Sequence, residues 1–296
     1  MSLSSSMREA AGRAPQVLDD STELVVKFLQ QRQQQDGGFA NRAGSGDLYY
    51  TVFGLESLRA INAPFDHERA AEYLRSFGSG ESLDIVHLCC LARCWSSLSA
   101  VASCKMEVAV AERLREQLLN HRSKDGGFSV ETIDETGSIY AAFLALGGCQ
   151  DLEIPLPDAD RLLTSIAALQ TEDGGFANDA HLPIGTTPVT AAAVTLMHEL
   201  GRPVEQNVCR WLLDRQHPTG GFFAHPAAPQ PDLLSTATAL HALSLGGKTL
   251  DDDARERCLD FVDELWSSQG CFRGTVDDDA LDVEYGWYGL LALGHL

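Results

Sequence analysis

Gln35-Asp36-Gly37-Gly38-Phe39-Ala40-Asn41 decides the reading of this chain, because the sequence keeps returning to it. Lys124-Asp125-Gly126-Gly127-Phe128, Glu172-Asp173-Gly174-Gly175-Phe176-Ala177-Asn178 and Thr219-Gly220-Gly221-Phe222 are further copies, and Gln269-Gly270-Cys271-Phe272 is a decayed one. The first glycines fall at 37, 126, 174, 220 and 270, giving steps of 89, 48, 46 and 50. The first step is close to two periods, which places a missing turn near Phe77-Gly78-Ser79-Gly80. Six units of about 47 residues result, and a period of this size marks a repeat architecture whatever domain count the length suggests. The units fill residues 21–296 as one domain and leave residues 1–20 as a polar N-terminal tail.

Every unit has the same grammar. An outer segment with apolar residues at helical spacing, such as Leu24-Val25-Val26-Lys27-Phe28-Leu29 or Trp211-Leu212-Leu213, runs into the glycine turn. Glycine suits a helix end that needs a left-handed residue, and the phenylalanine after it can fold back as a plug. A polar gap follows, then a second helix rich in small apolar residues. Examples are Ile85-Val86-His87-Leu88-Cys89-Cys90-Leu91 and Val189-Thr190-Ala191-Ala192-Ala193-Val194. A helix apolar nearly all round is a buried one, so six inner helices inside six amphipathic outer ones are predicted. The last inner helix ends without a polar capping unit, which favours closure over an open solenoid. The expected fold is all-α, a single α/α toroid of six helical hairpins. Its inner helices run parallel, so six positively polarised N-termini meet at one rim. Asp47, Asp84, Thr136, Ser138, Thr187, Asp232 and Asp282 precede or open these helices. They read as N-caps or as the mouth of a site.

The net charge of −20 argues against nucleic acid and against anionic membrane surfaces. No apolar run reaches the ~18 residues of a spanning helix, and the start Met-Ser-Leu-Ser-Ser-Ser is not a signal peptide, so a cytoplasmic protein is expected. Eight scattered cysteines read as reduced, mostly buried thiols.

Gln35-Asp36-Gly37-Gly38-Phe39 followed by Asp47-Leu48-Tyr49-Tyr50-Thr51 and an apolar helix resembles the prenyltransferase and squalene-cyclase repeat. The likeness spans residues 20–296 and is greatest to the β subunits of protein prenyltransferases, in particular the Rab geranylgeranyl transferase type. It implies an apolar central cavity for an isoprenoid, a diphosphate site at the rim, a catalytic zinc and an α-subunit partner. The family's zinc ligands come from Asp-x-Cys on one inner helix and Asp-x-x-His on the next. Here Asp282-Val283-Glu284 stands in place of the first, and Tyr50 takes the histidine place after Asp47. A shift by one unit offers Asp47 with His87, but Tyr49 then holds the cysteine place. Neither register completes a zinc set. Arg273, Tyr285, Trp287 and Tyr288 keep part of the diphosphate pattern, with Arg42 and Lys124 in neighbouring turns. Val276-Asp277-Asp278-Asp279 would repel a diphosphate unless Mg²⁺ bridged them.

Other chemistries match less well. The Asp-x-Asp-Asp acid of class II terpene cyclases is not reproduced, since Val276 and Ala280 flank the three aspartates. The thioester motif Gly-Cys-Gly-Glu-Gln is absent. A glycoside-processing α/α barrel would need Asp282 or Glu284 opposite Asp134 or Glu135, which is analogy at the level of fold. His87, His198 and His241 lie in apolar helices and read as core or rim residues; His181, His217 and His225 lie in turns. The first functional reading is a prenyltransferase-β-like protein that holds an apolar ligand and has divergent transferase chemistry. Asp282, Glu284 and Tyr50 would be its catalytic groups. Tyr49, Arg273, Tyr285, Trp287 and Tyr288 would contact the ligand, and Asp47 and His87 are the secondary metal candidates. The second reading is a non-catalytic toroid that serves as a binding or scaffold module.

Overall fold

The computed structural model describes residues 2–101, 104–181 and 184–296. Two short helices open the chain, α1 (Leu3–Ala11) and α2 (Pro15–Leu18). Outer and inner helices then alternate, beginning with α3 (Thr22–Arg32) outside and α4 (Leu48–Ala60) inside. The next hairpins are α5 (His67–Arg75) with α6 (Ile85–Val101), and α7 (Val108–Leu119) with α8 (Ile139–Asp151). The last three are α9 (Ala159–Ala167) with α10 (Thr187–Glu199), α11 (Gln206–Leu213) with α12 (Leu233–Leu245), and α13 (Asp252–Glu264) with α14 (Val283–Leu293). Each inner helix packs on the inner helix of the next unit, and α14 packs on α4, so the ring is closed.

The glycine turns do what the repeat implied. Gly37 and its counterparts Gly126, Gly174, Gly220 and Gly270 all have φ between 89° and 112°, a region L-residues avoid. At Gly37 a Cβ would lie 2.0 Å from the Arg69 carbonyl oxygen on α5, and at Gly270 it would lie 2.2 Å from that of Leu24 on α3. The turn of one unit thus sits on the outer helix of the next, and the contact at Gly270 carries this around the join. The missing turn is present at 76–84, between α5 and α6.

Phe39, Phe128, Phe176, Phe222 and Phe272 are fully buried plugs. Thr51, Thr190 and Thr236, each the fourth residue of its inner helix, accept the backbone N–H of Phe39, Phe176 and Phe222 at 2.9–3.0 Å. Asp47, Asp84, Ser138, Asp232 and Asp282 accept backbone N–H groups of their own first turns as expected, whereas Thr187 is the first residue of α10 and its hydroxyl donates to the Phe223 carbonyl.

The segment expected as a polar tail is instead structured. Helix α1 crosses the ring at the C-terminal ends of the inner helices, packing on α4, α8 and α14. Leu3, Ala10, Ala11 and Ala14 are buried, and the Leu3 N–H donates to Gln150 Oε1 at 2.9 Å. Leu3, Met7, Ala10, Ala11 and Ala14 form an apolar stripe at helical spacing, so the helical signal lay in the spacing and not in the composition. Among the described residues no helix is long and apolar enough to cross a membrane. All eight cysteines are free thiols, seven of them buried.

Candidate active-site cavity

The six inner helices enclose a cavity of about 330 Å³. Its lining follows helix periodicity, because each inner helix turns the same positions inward. Second residues form the mouth: Tyr49, Tyr140, Pro188, Leu234 and Glu284. Sixth residues form the waist: Phe53, Cys90, Leu144, Ala192, Thr238 and Tyr288, with Trp287 and Phe143 beside them. Ninth residues form the floor: Glu56, Arg93, Thr195 and His241. Leu3 and Met7 of α1 cover the floor from outside the ring.

Closure brings residues from opposite ends of the chain together at the mouth. The Tyr49 hydroxyl donates to Glu284 Oε1 at 2.8 Å. Burial pushes the Glu284 carboxyl above its ordinary value, and the Tyr49 hydrogen bond takes back part of that rise. Burial also pushes the Tyr49 and Tyr288 phenols well up, so both remain protonated donors. The Tyr140 phenol is pushed to about 12, mainly by burial. Tyr49 packs edge-on against Tyr50 and Phe53, and Phe53 meets Tyr288 with centroids 5.8 Å apart. The result is a partly desolvated carboxyl at the lip of an aromatic shaft.

The remaining sequence candidates surround this pair or lie outside the cavity. Asp282 is buried and already occupied: it caps α14 through the Tyr285 N–H at 3.0 Å and accepts Arg42 Nε at 2.8 Å. Arg42 also approaches Asp278 at 3.5 Å and lies over the Tyr285 ring. Tyr50 and Tyr285 are half-buried beside the lip and do not line the shaft, whereas Trp287 does. Arg273 turns away, its guanidinium donating to the carbonyls of Val276 and Glu264. Asp134 is half-buried and bound to Ser129, Glu135 is exposed and bound to Lys124, and neither lines the cavity. They offer no carboxylate opposite Glu284 in the shaft.

The donor set does not fit zinc. Asp47 accepts the Tyr49 and Tyr50 N–H groups as a helix cap, and His87 Nδ1 lies 2.8 Å from Asp84 Oδ1. Among the described residues no three His, Cys, Asp or Glu side chains converge in a metal-binding group. Of the loop carboxylates that Mg²⁺ would bridge, Asp277 accepts from Gln230 and Asp278 from the Ala280 N–H.

The floor is the part that sequence reasoning missed. Glu56 is 2% exposed and binds Arg8 of α1 at 2.9 Å, Arg59 at 3.1 Å and the Ser97 hydroxyl. Arg93 pairs with the buried Asp151. His241 Nδ1 lies 3.0 Å from His295 Nε2. Superimposing the six inner helices by their first residue would have found this layer, since Glu56, Arg93, Thr195 and His241 all stand ninth.

Comparison with known proteins places the ring. The chain is 28% identical over 277 residues to drimenyl diphosphate synthase of Streptomyces showdoensis, a match covering 82% of this chain and 50% of that protein. It therefore spans about half the length of the curated relative it matches. Protein geranylgeranyltransferase-I of Candida albicans, complexed with GGPP, superposes with a TM-score of 0.65 at 14% identity, covering 90% of this chain and 89% of that one. The type II terpene cyclase MstE from Scytonema superposes at 0.64 and 14% identity, covering 94% and 97%. These two show a common fold. A family profile described as the prenyltransferase alpha-alpha toroid domain matches residues 16–78, 65–187 and 189–293, and this chain belongs to that family.

Proposed function

We propose that the cavity holds an isoprenoid chain and that Glu284 acts at its mouth as a base and counter-charge for carbocation chemistry. The observation that carries this reading is the Glu284–Tyr49 pair at the lip of an aromatic shaft. A carboxyl pushed up by burial is a stronger base than a free one, and a weak acid for protonating an alkene. Glu284 is thus suited to taking a proton from a cation or from an attacking nucleophile. The rings of Phe53, Trp287 and Tyr288 line the path along which positive charge would move, and aromatic faces attract cations. At interior packing density, 330 Å³ accommodates a ligand of about fifteen heavy atoms.

The ligand class follows from the walls: apolar side chains dominate, with few polar groups to fix orientation. The relatives point the same way, one being a terpenoid synthase and another a transferase solved with an isoprenyl diphosphate. A diphosphate head would meet Glu284 and an Arg42 already paired with Asp282 and Asp278, so it would arrive with a divalent cation. A transferase reading adds an α-subunit-like partner to the same ring.

The test is direct. Purified protein is titrated calorimetrically with geranyl and farnesyl diphosphates, with and without Mg²⁺, and products are sought by mass spectrometry. Binding tighter than about 100 μM is expected. Glu284→Gln should keep binding and lose product formation by about 100-fold or more. Absence of isoprenoid binding to the wild type would defeat the reading and favour the non-catalytic scaffold.

A further inference from the structure

The closed end of the cavity carries an arginine that its ion pair leaves half used. Arg93 stands ninth in α6, and that helix runs on to Val101, so the side chain lies well inside the ring. Its Nε donates to Asp151 Oδ2 at 2.5 Å. Neither Nη donates to a described residue, and neither is among the unpaired atoms that are sealed from water-sized groups. The side chain keeps 17% of its surface accessible. Burial is the largest influence on its pKa and would lower it, but Asp151 and Glu56 outweigh that and hold the guanidinium charged. A side chain removed from bulk water that keeps accessible surface and lines the cavity turns that surface to the cavity. Gly147 of α8 leaves it room, since a Cβ there would lie 2.9 Å from Nη2.

The ion-paired groups of this layer do not cancel. Arg8, Arg59 and Arg93 face Glu56 and Asp151, three positive groups against two negative. Burial pushes the Asp151 carboxyl up, so any proton it takes adds to the excess. Burial pushes His241 down to about 4 and His295 to about 3, so both rings are neutral and add nothing. An unbalanced charge away from water is costly, and an anion bound to it relieves that cost. Arginine offers only donors, so its partner must be an acceptor. With Nε taken, the edge formed by the two Nη groups remains, and such an edge can give two parallel hydrogen bonds to one carboxylate. A carboxylate also brings the single negative charge that the layer lacks, whereas a diphosphate would bring more than one.

We infer that the Nη edge of Arg93 is a subsite for a carboxylate at the inner end of the ligand. Seven helical residues separate the mouth layer from the floor layer, a depth of about 10 Å. The ligand is then an isoprenoid acid. Its carboxylate lies at the floor, its alkenes lie along Phe53, Trp287 and Tyr288, and its hydrocarbon end reaches Glu284. This deepens the isoprenoid reading above and rests on it, since it assumes that the cavity takes an extended apolar chain.

Two probes of one skeleton test it: geranic acid and its methyl ester. Calorimetry on the intact protein at neutral pH should show the acid binding about tenfold tighter. Arg93→Met, which keeps the length and loses the charge, should abolish that advantage while leaving the affinity for the ester within about threefold. That change strands Asp151, so the double variant Arg93→Met with Asp151→Leu carries the mutational test if the single one does not fold. A crystal complex should put the carboxylate within hydrogen-bond distance of both Arg93 Nη atoms. Equal affinity of acid and ester for the wild type overturns the inference and leaves the isoprenoid reading standing. So does an advantage that survives the loss of Arg93, or a complex in which the carboxylate sits on Arg42 at the lip. If neither probe binds, the isoprenoid reading fails and the subsite falls with it.

Discussion

At the mouth, Arg42 bridges Asp278 and Asp282 on a lip where its own side chain is 46% exposed. At the floor, Arg8 and Arg59 converge on Glu56, and Arg93 on Asp151, with both carboxylate side chains almost wholly buried. The two layers stand on the same helices, two turns apart, and treat charge differently. Water screens the arginine at the mouth, although its partner Asp282 is as buried as the floor carboxylates, so the pair is weakened from one side only. The floor charges have lost their water and depend on one another, and removing one strands its partners. Chemistry that needs a tunable carboxyl is therefore better supported at the mouth. The floor is suited to holding a fixed shape.

The comparison can be broken most directly by removing one charge from each layer. Glu56→Ala leaves Arg8 and Arg59 without their carboxylate and should cost about 3 kcal/mol in denaturant unfolding. It should also speed amide exchange across residues 3–11, because Arg8 ties α1 to the ring. Arg42→Ala, its counterpart at the lip, should cost less, about 1–2 kcal/mol, because the buried Asp282 it leaves behind still accepts the Tyr285 N–H. Equal costs would mean that the two layers are alike after all.

An acid limb comes next. His241 and His295 have folded-state values below the ordinary one, so between about pH 6.5 and 4 the unfolded chain binds protons that the folded chain does not. Stability present above that window should fall as the pH drops through it. His241→Phe should flatten this part of the pH–stability curve, and an unchanged slope would contradict the neutral pair. Tyr49→Phe is expected to have the smallest effect, costing about 1 kcal/mol for one lost hydrogen bond. Because Tyr49 lowers the Glu284 carboxyl, its loss should move that titration higher still, readable by carboxyl NMR.

Much of this was legible in the chain. The glycine period decides the ring, and closure sets residue 50 beside residue 284; Tyr49 and Glu284 meet there at 2.8 Å. Arg273 was harder to place, because a motif cannot say which way a long side chain turns, and nearby carbonyls captured it. The floor escaped because Glu56, Arg93 and His241 are isolated polar residues inside apolar helices. Only their shared ninth position reveals that they belong to one layer. Helix α1 was hidden by its serines, which mask a stripe of small apolar residues.

Ring closure has one more consequence. A linear array of repeats frays from its terminal units, whose outer faces lack neighbours, and its melting broadens as the array grows. Here the first hairpin is the neighbour of the last, through α14 on α4 and Gly270 on Leu24. No unit can peel away without tearing two seams at once, so the six should be lost together in one sharp cooperative transition.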